Sequence, residues 1–234
     1  MKKLISKLGV MAIAAALIAA PCMLNAETPA ELLARLKTKS EALKSWEMTM
    51  ENSMKSQFME NTGTIKTIAK RDGDTMKSYS EMNSETKMQG MASQKTASKM
   101  VSDGSTIWIE TKLGDKVSVM KAPYKTDPTS IEAMEELLKD GKWEVKPQET
   151  IDGELCDVLA GTSGTPPQVI STTYWMSDKT GHPVKIVIGG GPMGDNVTKV
   201  TSFKENPVID DSKFSYTPPA GVEVMDTSKM GAGA

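Results

Sequence analysis

From Trp46 to Phe58 the large apolar residues Trp46, Met48, Met50, Met54 and Phe58 all stand on even positions, with Glu47, Thr49, Glu51, Ser53, Lys55 and Gln57 between them. This is the period of a strand with one apolar face, and such a strand needs neighbours on both edges and a cover for that face. The neighbours are written in the same hand. Strands are expected at 63–71, 75–87, 94–102, 106–112 and 116–120, divided by turn pairs such as Asp72, Gly73 and Asp103, Gly104. A second series is expected at 142–149, 154–161, 169–177, 183–188 and 196–204. Short strands joined by tight polar turns build an antiparallel meander.

Two helical segments supply the cover. Thr28, Pro29 and Glu31 read as N-cap, first-turn proline and capping-box glutamate, and Leu32, Leu33, Leu36 and Leu43 lie near one face of a helix running to about Ser45. Between the two strand series, Asp127 and Pro128 open a helix over 128–140. Thr129 and Glu132 repeat the capping box there, Ile131, Met134, Leu137 and Leu138 form the apolar stripe, and Gly141 is the stop. Two helices against one long antiparallel sheet make an α+β fold.

Upstream of the first helix, Lys2, Lys3 and Lys7 precede an uncharged apolar run from Leu8 to Ala20, and Pro21 breaks that run before a cleavage site after Ala26. These are the parts of a secretory leader, and the run is too short for a stable membrane span. Acylation at Cys22 would want leucine three residues earlier and a small residue directly before it. Ala19 and Pro21 stand there, so a soluble periplasmic protein is expected. Residues 27–228 then form one domain, with 229–234 as a flexible tail. Loss of three lysines leaves 25 basic against 30 acidic residues, a charge of about −5, which argues against nucleic acid as a partner. Cys156 becomes the sole cysteine, so no internal disulfide is available, and its setting is that of a small buried hydrophobe.

The stretch 209–226, IDDSKFSYTPPAGVEVMD, reads as a short alternating strand at Lys213–Thr217, a rigid Pro218-Pro219 turn with Gly221, and a second strand from Val222 that closes the sheet edge. It resembles the C-terminus of the periplasmic outer-membrane lipoprotein carriers, the LolA-like family. MVSDGSTIWIE at 100–110 resembles that family's Asp-Gly hairpin and tryptophan strand. IDGELCDVL at 151–159 is similar to its short glycine turn, and YWMSDKTGHPVK at 174–185 to a hairpin of the superfamily. The resemblance implies an incomplete antiparallel β-barrel, a half-barrel whose concave face is covered by helices and holds acyl chains of lipids or lipoproteins. It also implies transport as a monomer, between a donor in the inner membrane and an acceptor in the outer membrane. Lys70 and Arg71 match a family element whose arginine takes part in lid closure, although Asp72 replaces the family proline.

An apolar cavity left between a curved sheet and its helices suits such a ligand, and methionine, of which the chain has 18, makes an adaptable wall for it. Met48, Met50, Met54, Trp108, Met134, Leu138, Trp143 and Trp175 are the candidate lipid-binding residues, and the helix over 128–140 is the candidate lid. The segment Ser78–Lys99 departs from this pattern. It is mostly Ser, Thr, Lys, Glu and Gln, and reads as a solvent-facing sheet edge or as the seat of a polar part of the ligand. No catalytic residues, metal ligands of the usual kind or cofactor are expected. His182 is the only histidine, Asp210 and Asp211 point to opposite faces if extended, and no HExxH, GxSxG or phosphate-loop motif occurs. Two further readings stay open: a copper(I) or silver(I) binder using pairs such as Met48 with Met50 or Met88 with Met91, and an envelope-stress sensor on the same fold.

Overall fold

The computed structural model describes residues 27–73, 75–124, 131–166, 168–189 and 194–229. The leader with its cleavage site and Cys22, the helix-opening residues Asp127, Pro128 and Thr129, and residues 230–234 of the tail lie outside these.

Helix α1 (Pro29–Glu41) starts as the capping pattern dictates. The Glu31 amide donates to the Thr28 hydroxyl at 3.3 Å, and the Thr28 amide donates to the Glu31 carboxylate at 2.8 Å. The helix ends before Ser45, which already opens β1 (Ser45–Lys55). Strands β2 (Met59–Asp72), β3 (Thr75–Met88), β4 (Gln94–Ser102), β5 (Thr106–Leu113) and β6 (Lys116–Pro123) follow as hairpins. Helix α2 (Ile131–Lys139) then leads into β7 (Gly141–Ile151), β8 (Glu154–Thr165), β9 (Gln168–Ser177), β10 (Pro183–Gly189) and β11 (Asn196–Glu205). A short 3-10 turn (Asp211–Phe214) and β12 (Val224–Asp226) end the fold.

The twelve strands among the described residues all belong to one sheet, in the order β12-β6-β5-β4-β3-β2-β1-β11-β10-β9-β8-β7. Two meanders are thus welded into one by the antiparallel pairing of β1 with β11, from Trp46↔Glu205 to Met54↔Asn196. The sheet does not close, since β12 and β7 are its two edges. The result is an open α+β half-barrel, as the strand series and the sequence motifs imply.

Four expectations are corrected. Residues 213–217 do not form a strand, because the Asp210 carboxylate accepts from the Ser212 amide at 2.9 Å and the Ser215 amide closes back on the Ser212 carbonyl. A local cap of this kind competes with ladder pairing, and it tucks Phe214 inside. The closing strand is Val224–Asp226 and runs parallel to β6, unlike every other pair among the described strands. Phe58 does not continue the face of β1. That strand ends at Lys55, where the Ser56 hydroxyl accepts from the Phe58 and Met59 amides and turns the chain, leaving Phe58 62% exposed. Finally, the polar segment Ser78–Lys99 is not an edge, for β3 and β4 are paired on both sides in the middle of their meander.

Helix α1 is tied to the sheet through Arg35. Its guanidinium spans Glu27, buried Asp157 on β8 and Asp178 in the β9–β10 turn, all at 2.9–3.0 Å. The hydrogen bonds it donates to Glu27 and Asp157 hold its proton more tightly than usual. Lys39 adds a 2.8 Å ion pair to Asp178, and this is the first cause of that carboxyl's lowered pKa. The turn itself comes close to the helix: a Cβ at Gly181, where φ is +72°, would collide with the Leu36 carbonyl oxygen.

Candidate functional site

Register decides which side chains share a surface. Antiparallel partners lie on the same face, so one row can be traced across the sheet: Val145, Leu159, Tyr174, Ile186, Thr198, Asn52, Gly63, Ser84, Thr96 and Leu113. Leu159, Tyr174 and Met176 on this face pack against Leu32, Leu33 and Leu36 of α1 and Ile131 and Met134 of α2, with Leu138, Trp143, Val145 and Ile186 around them. This is therefore the helix-bearing face. Alternation from the same row brings Met48, Met50 and Met54 of β1, Met59 of β2, Met76, Met82 and Met88 of β3, Met100 of β4, Met120 of β6, Met176 of β9 and Met225 of β12 to it as well. Every one of the eleven strand methionines is on this one face.

The face is graded. Trp46, Met48 and Met50 are buried with Leu43 and Ala69, flanked by Ile65, Met76, Val200 and Phe203. His182 is wedged there between the rings of Trp46 and Phe203, 4.8 Å from each. Away from this centre the apolar side chains emerge. Of the eight large hydrophobic strand residues that are exposed among the described residues, Met82, Met88, Leu113, Leu155, Ile170, Ile188 and Met225 lie on the helix-bearing face, and Val169 lies on the other. Leu137 of α2 is exposed beside them in the sequence of the helix, while Trp143 donates from Nε1 to the Leu137 carbonyl at 3.0 Å and so fastens α2 to β7.

The candidate residues fall into two groups. Met48, Met50, Met54 and Trp143 are on the helix-bearing face, and Met134 and Leu138 of α2 pack onto it. Trp108 and Trp175 are on the opposite face. Trp108 stacks obliquely on Tyr216, whose hydroxyl donates to Glu110 at 2.6 Å, so the segment after the 3-10 turn covers that side of β5. Trp175 donates to the Glu149 carboxylate at 2.9 Å and lies under the Lys185 ammonium. Arg71 stands one residue before the end of β2 with its amide bonded to the Lys44 carbonyl, and its Nε is buried with no hydrogen-bond partner among the described residues. It lines a cavity of about 430 Å³ with Lys44, Ser45, Lys70, Gly73 and Pro207–Ile209.

A groove of about 890 Å³ crosses the far ends of β11 and β1–β5, lined by Glu51, Ser53, Thr64, Glu85, Lys95, Lys112 and Lys199 among others. Register puts these side chains on the face opposite to Met50, and they are polar. Glu85 and Lys95 fall within the polar segment Ser78–Lys99, but the part of the groove on β1, β2, β5 and β11 carries no sequence signal, because alternating Thr, Ser, Lys and Glu read as an ordinary wet sheet face. Among the described residues no group of His, Cys, Asp and Glu side chains is placed to hold a metal ion. Cys156 is fully buried and its thiol is pushed up to about 11, first by that burial and then by Glu154.

An open twelve-stranded sheet with helices laid on one apolar face defines a half-barrel class of α+β fold. Its particular form here is the LolA-like fold that the sequence motifs resemble. MucB has a similar structure, with a TM-score of 0.50 at 16% identity over 84% of this chain; the chain spans 64% of the MucB chain. Weaker likenesses are to the lipoprotein LppX of Mycobacterium tuberculosis (TM-score 0.43, 15% identity, 78% of this chain and 99% of that one) and to an outer membrane lipoprotein-sorting protein domain of Vibrio parahaemolyticus (0.36, 12%, 79% and 94%). No protein-family model matches the chain, and no curated protein matches its sequence.

Proposed function

We propose that this protein is a periplasmic carrier that binds the acyl chains of lipids or lipoproteins on the helix-bearing face of its sheet. The observation that carries the reading is the segregation of apolar surface: seven of eight exposed large hydrophobics of the strands, and all strand methionines, are on the face that α1 and α2 partly cover. Exposed apolar side chains gathered on one side of a sheet mark a ligand or partner surface. Thioether side chains, with three rotatable bonds, adapt to chains of differing length and branching. In this reading α1 is the fixed part of the cover, held by Arg35 and Lys39, and α2 is the lid, held by apolar contacts of Met134 and Leu138 and by the Trp143 bond. Arg71 keeps in this proposal the lid-closure role that the resemblance implies, acting from the cavity it lines beside Lys44 and Pro207–Ile209. Trp108 and Trp175, being on the other face, would act only where a ligand wraps the sheet edge. Export by the leader at 1–26, a monomeric state, and hand-over between a membrane donor and acceptor belong to the same proposal.

Native mass spectrometry of the protein purified from a bacterial periplasm, followed by organic extraction, tests it. A co-purifying phospholipid or acylated peptide that is lost in Met82→Glu, with an unchanged melting temperature, is the expected result. A protein that carries no lipid and takes up no fatty acid or phospholipid on titration would remove the reading.

A further inference from the structure

The β1–β2 and β3–β4 hairpin tips meet at one end of the sheet, and the backbone places three methionines there. Met59 and Met88 are direct cross-strand partners at the last rung of β2 and β3. Such partners hold their Cβ atoms roughly 4.5–5.5 Å apart. Beyond Met88 the chain makes a tight turn. The Met91 amide donates to the Met88 carbonyl at 3.1 Å, and Gly90, the third residue, has φ +77°. With Gln89 at negative φ this is the geometry of a type II turn, which keeps its first and fourth Cα atoms within about 7 Å. Met88 is therefore adjacent both to Met59 and to Met91. The Gln89 amide donates to the Phe58 carbonyl at 3.1 Å, which holds Phe58 at the same tip.

These residues have little packing to do. Met88 is 38% exposed, Met91 68% and Phe58 62%, so these residues are not spent on a core. We propose that Met59, Met88 and Met91 form a binding site for one soft monovalent ion, Cu(I) or Ag(I). Three neutral thioethers suit such an ion and discriminate against Mg, Ca and Zn, which prefer oxygen, nitrogen or thiolate. The Phe58 ring adds a π-face for the cation. Binding is simple ligation without electron transfer or proton release, and it rests on the hairpin tips alone, not on the acyl-chain reading.

The test is titration of the full chain with Ag(I), carried out in a Cys22→Ser background so that the leader thiol does not compete, read by calorimetry and by the Met methyl resonances in NMR. One Ag(I) per chain is expected, shifting the methyl signals of residues 59, 88 and 91. Met88→Leu and Met91→Leu keep side-chain volume and should fold normally. Each should weaken binding by at least about tenfold, the scale on which even outer-shell changes act. Met82→Leu, an equally exposed methionine on β3 three same-face positions from Met88, is expected to bind as the parent does. Unchanged affinity in Met88→Leu and Met91→Leu, or an equal loss in Met82→Leu, would overturn the site.

Discussion

Gly161→Ala probes how the lid helix is held. In the native fold the Trp143 indole lies flat over β7 and β8. A Cβ at position 161 would sit well inside contact with Trp143 Cδ2 and Cε3, and 2.6 Å from the Lys142 carbonyl oxygen. A Cβ at Gly141 would collide with Trp143 Nε1. The glycines are therefore the seat of the ring, and any side chain at 161 must lift it. Lifting it breaks the 3.0 Å bond to the Leu137 carbonyl and disturbs the contact with Tyr174, whose ring centroid is 6.1 Å away. Overpacking costs about 1–3 kcal/mol and the lost hydrogen bond about 1 kcal/mol, so a total of about 2–4 kcal/mol is expected. For a domain of this size that lowers Tm by roughly 4–16 °C. The assay is urea unfolding followed by tryptophan fluorescence, repeated in a Trp143→Leu background. Removing the ring relieves two of the three collisions and leaves that with Lys142. The cost of Gly161→Ala should therefore shrink by at least about 1 kcal/mol in the double-mutant cycle. An equal cost in both backgrounds would refute the argument that the ring is what the glycine accommodates.

Three other outcomes follow from the same geometry. Cys156 should resist thiol reagents at pH 8 while the protein is folded, since its pKa is pushed up to about 11 by burial, and should be labelled once urea unfolds the chain, as read by peptide mass mapping. The Asp178 carboxyl is held below its usual range, first by the Lys39 hydrogen bond, so its contribution to stability is complete above the unfolded carboxylate value of about 3.9 and is lost as pH falls through the lower folded value. The urea midpoint should accordingly drop on acidification below pH 4 by more in the parent than in Asp178→Asn. Thr28→Ala removes the hydroxyl that caps α1 and should cost about 0.5–2 kcal/mol in a urea titration, with Thr28→Ser close to neutral.

Much of the fold is legible along the chain. The strands from β2 to β11 are each expected within a few residues of their place, because Gly73, Gly104 and Gly153 sit at positive φ in turns that divide them. The capping box at Thr28 and Glu31 located α1 for an equally local reason. Legibility failed where a local side-chain bond overrode period, as at Asp210, which turns an alternating stretch into a 3-10 turn. The site was less legible than the fold. Ile107, Trp108 and Ile109 are consecutive apolar residues, as are Tyr174, Trp175 and Met176, so neither tryptophan announces its face.

The sequence by itself determined both helices, the strands from β1 to β11, their order, and within each strand which residues alternate, since period and turn chemistry act over a few bonds. Only the tertiary structure decided which of the two faces of each strand became the common one. That choice depends on the register of β1 against β2 and β11, and on the side onto which Leu32, Leu33 and Leu36 bring α1 down. Both are contacts between residues far apart in the chain. A one-residue shift in either register would send the methionines of the two meanders to opposite sides, and for that reason a single methionine face cannot be read from any strand alone.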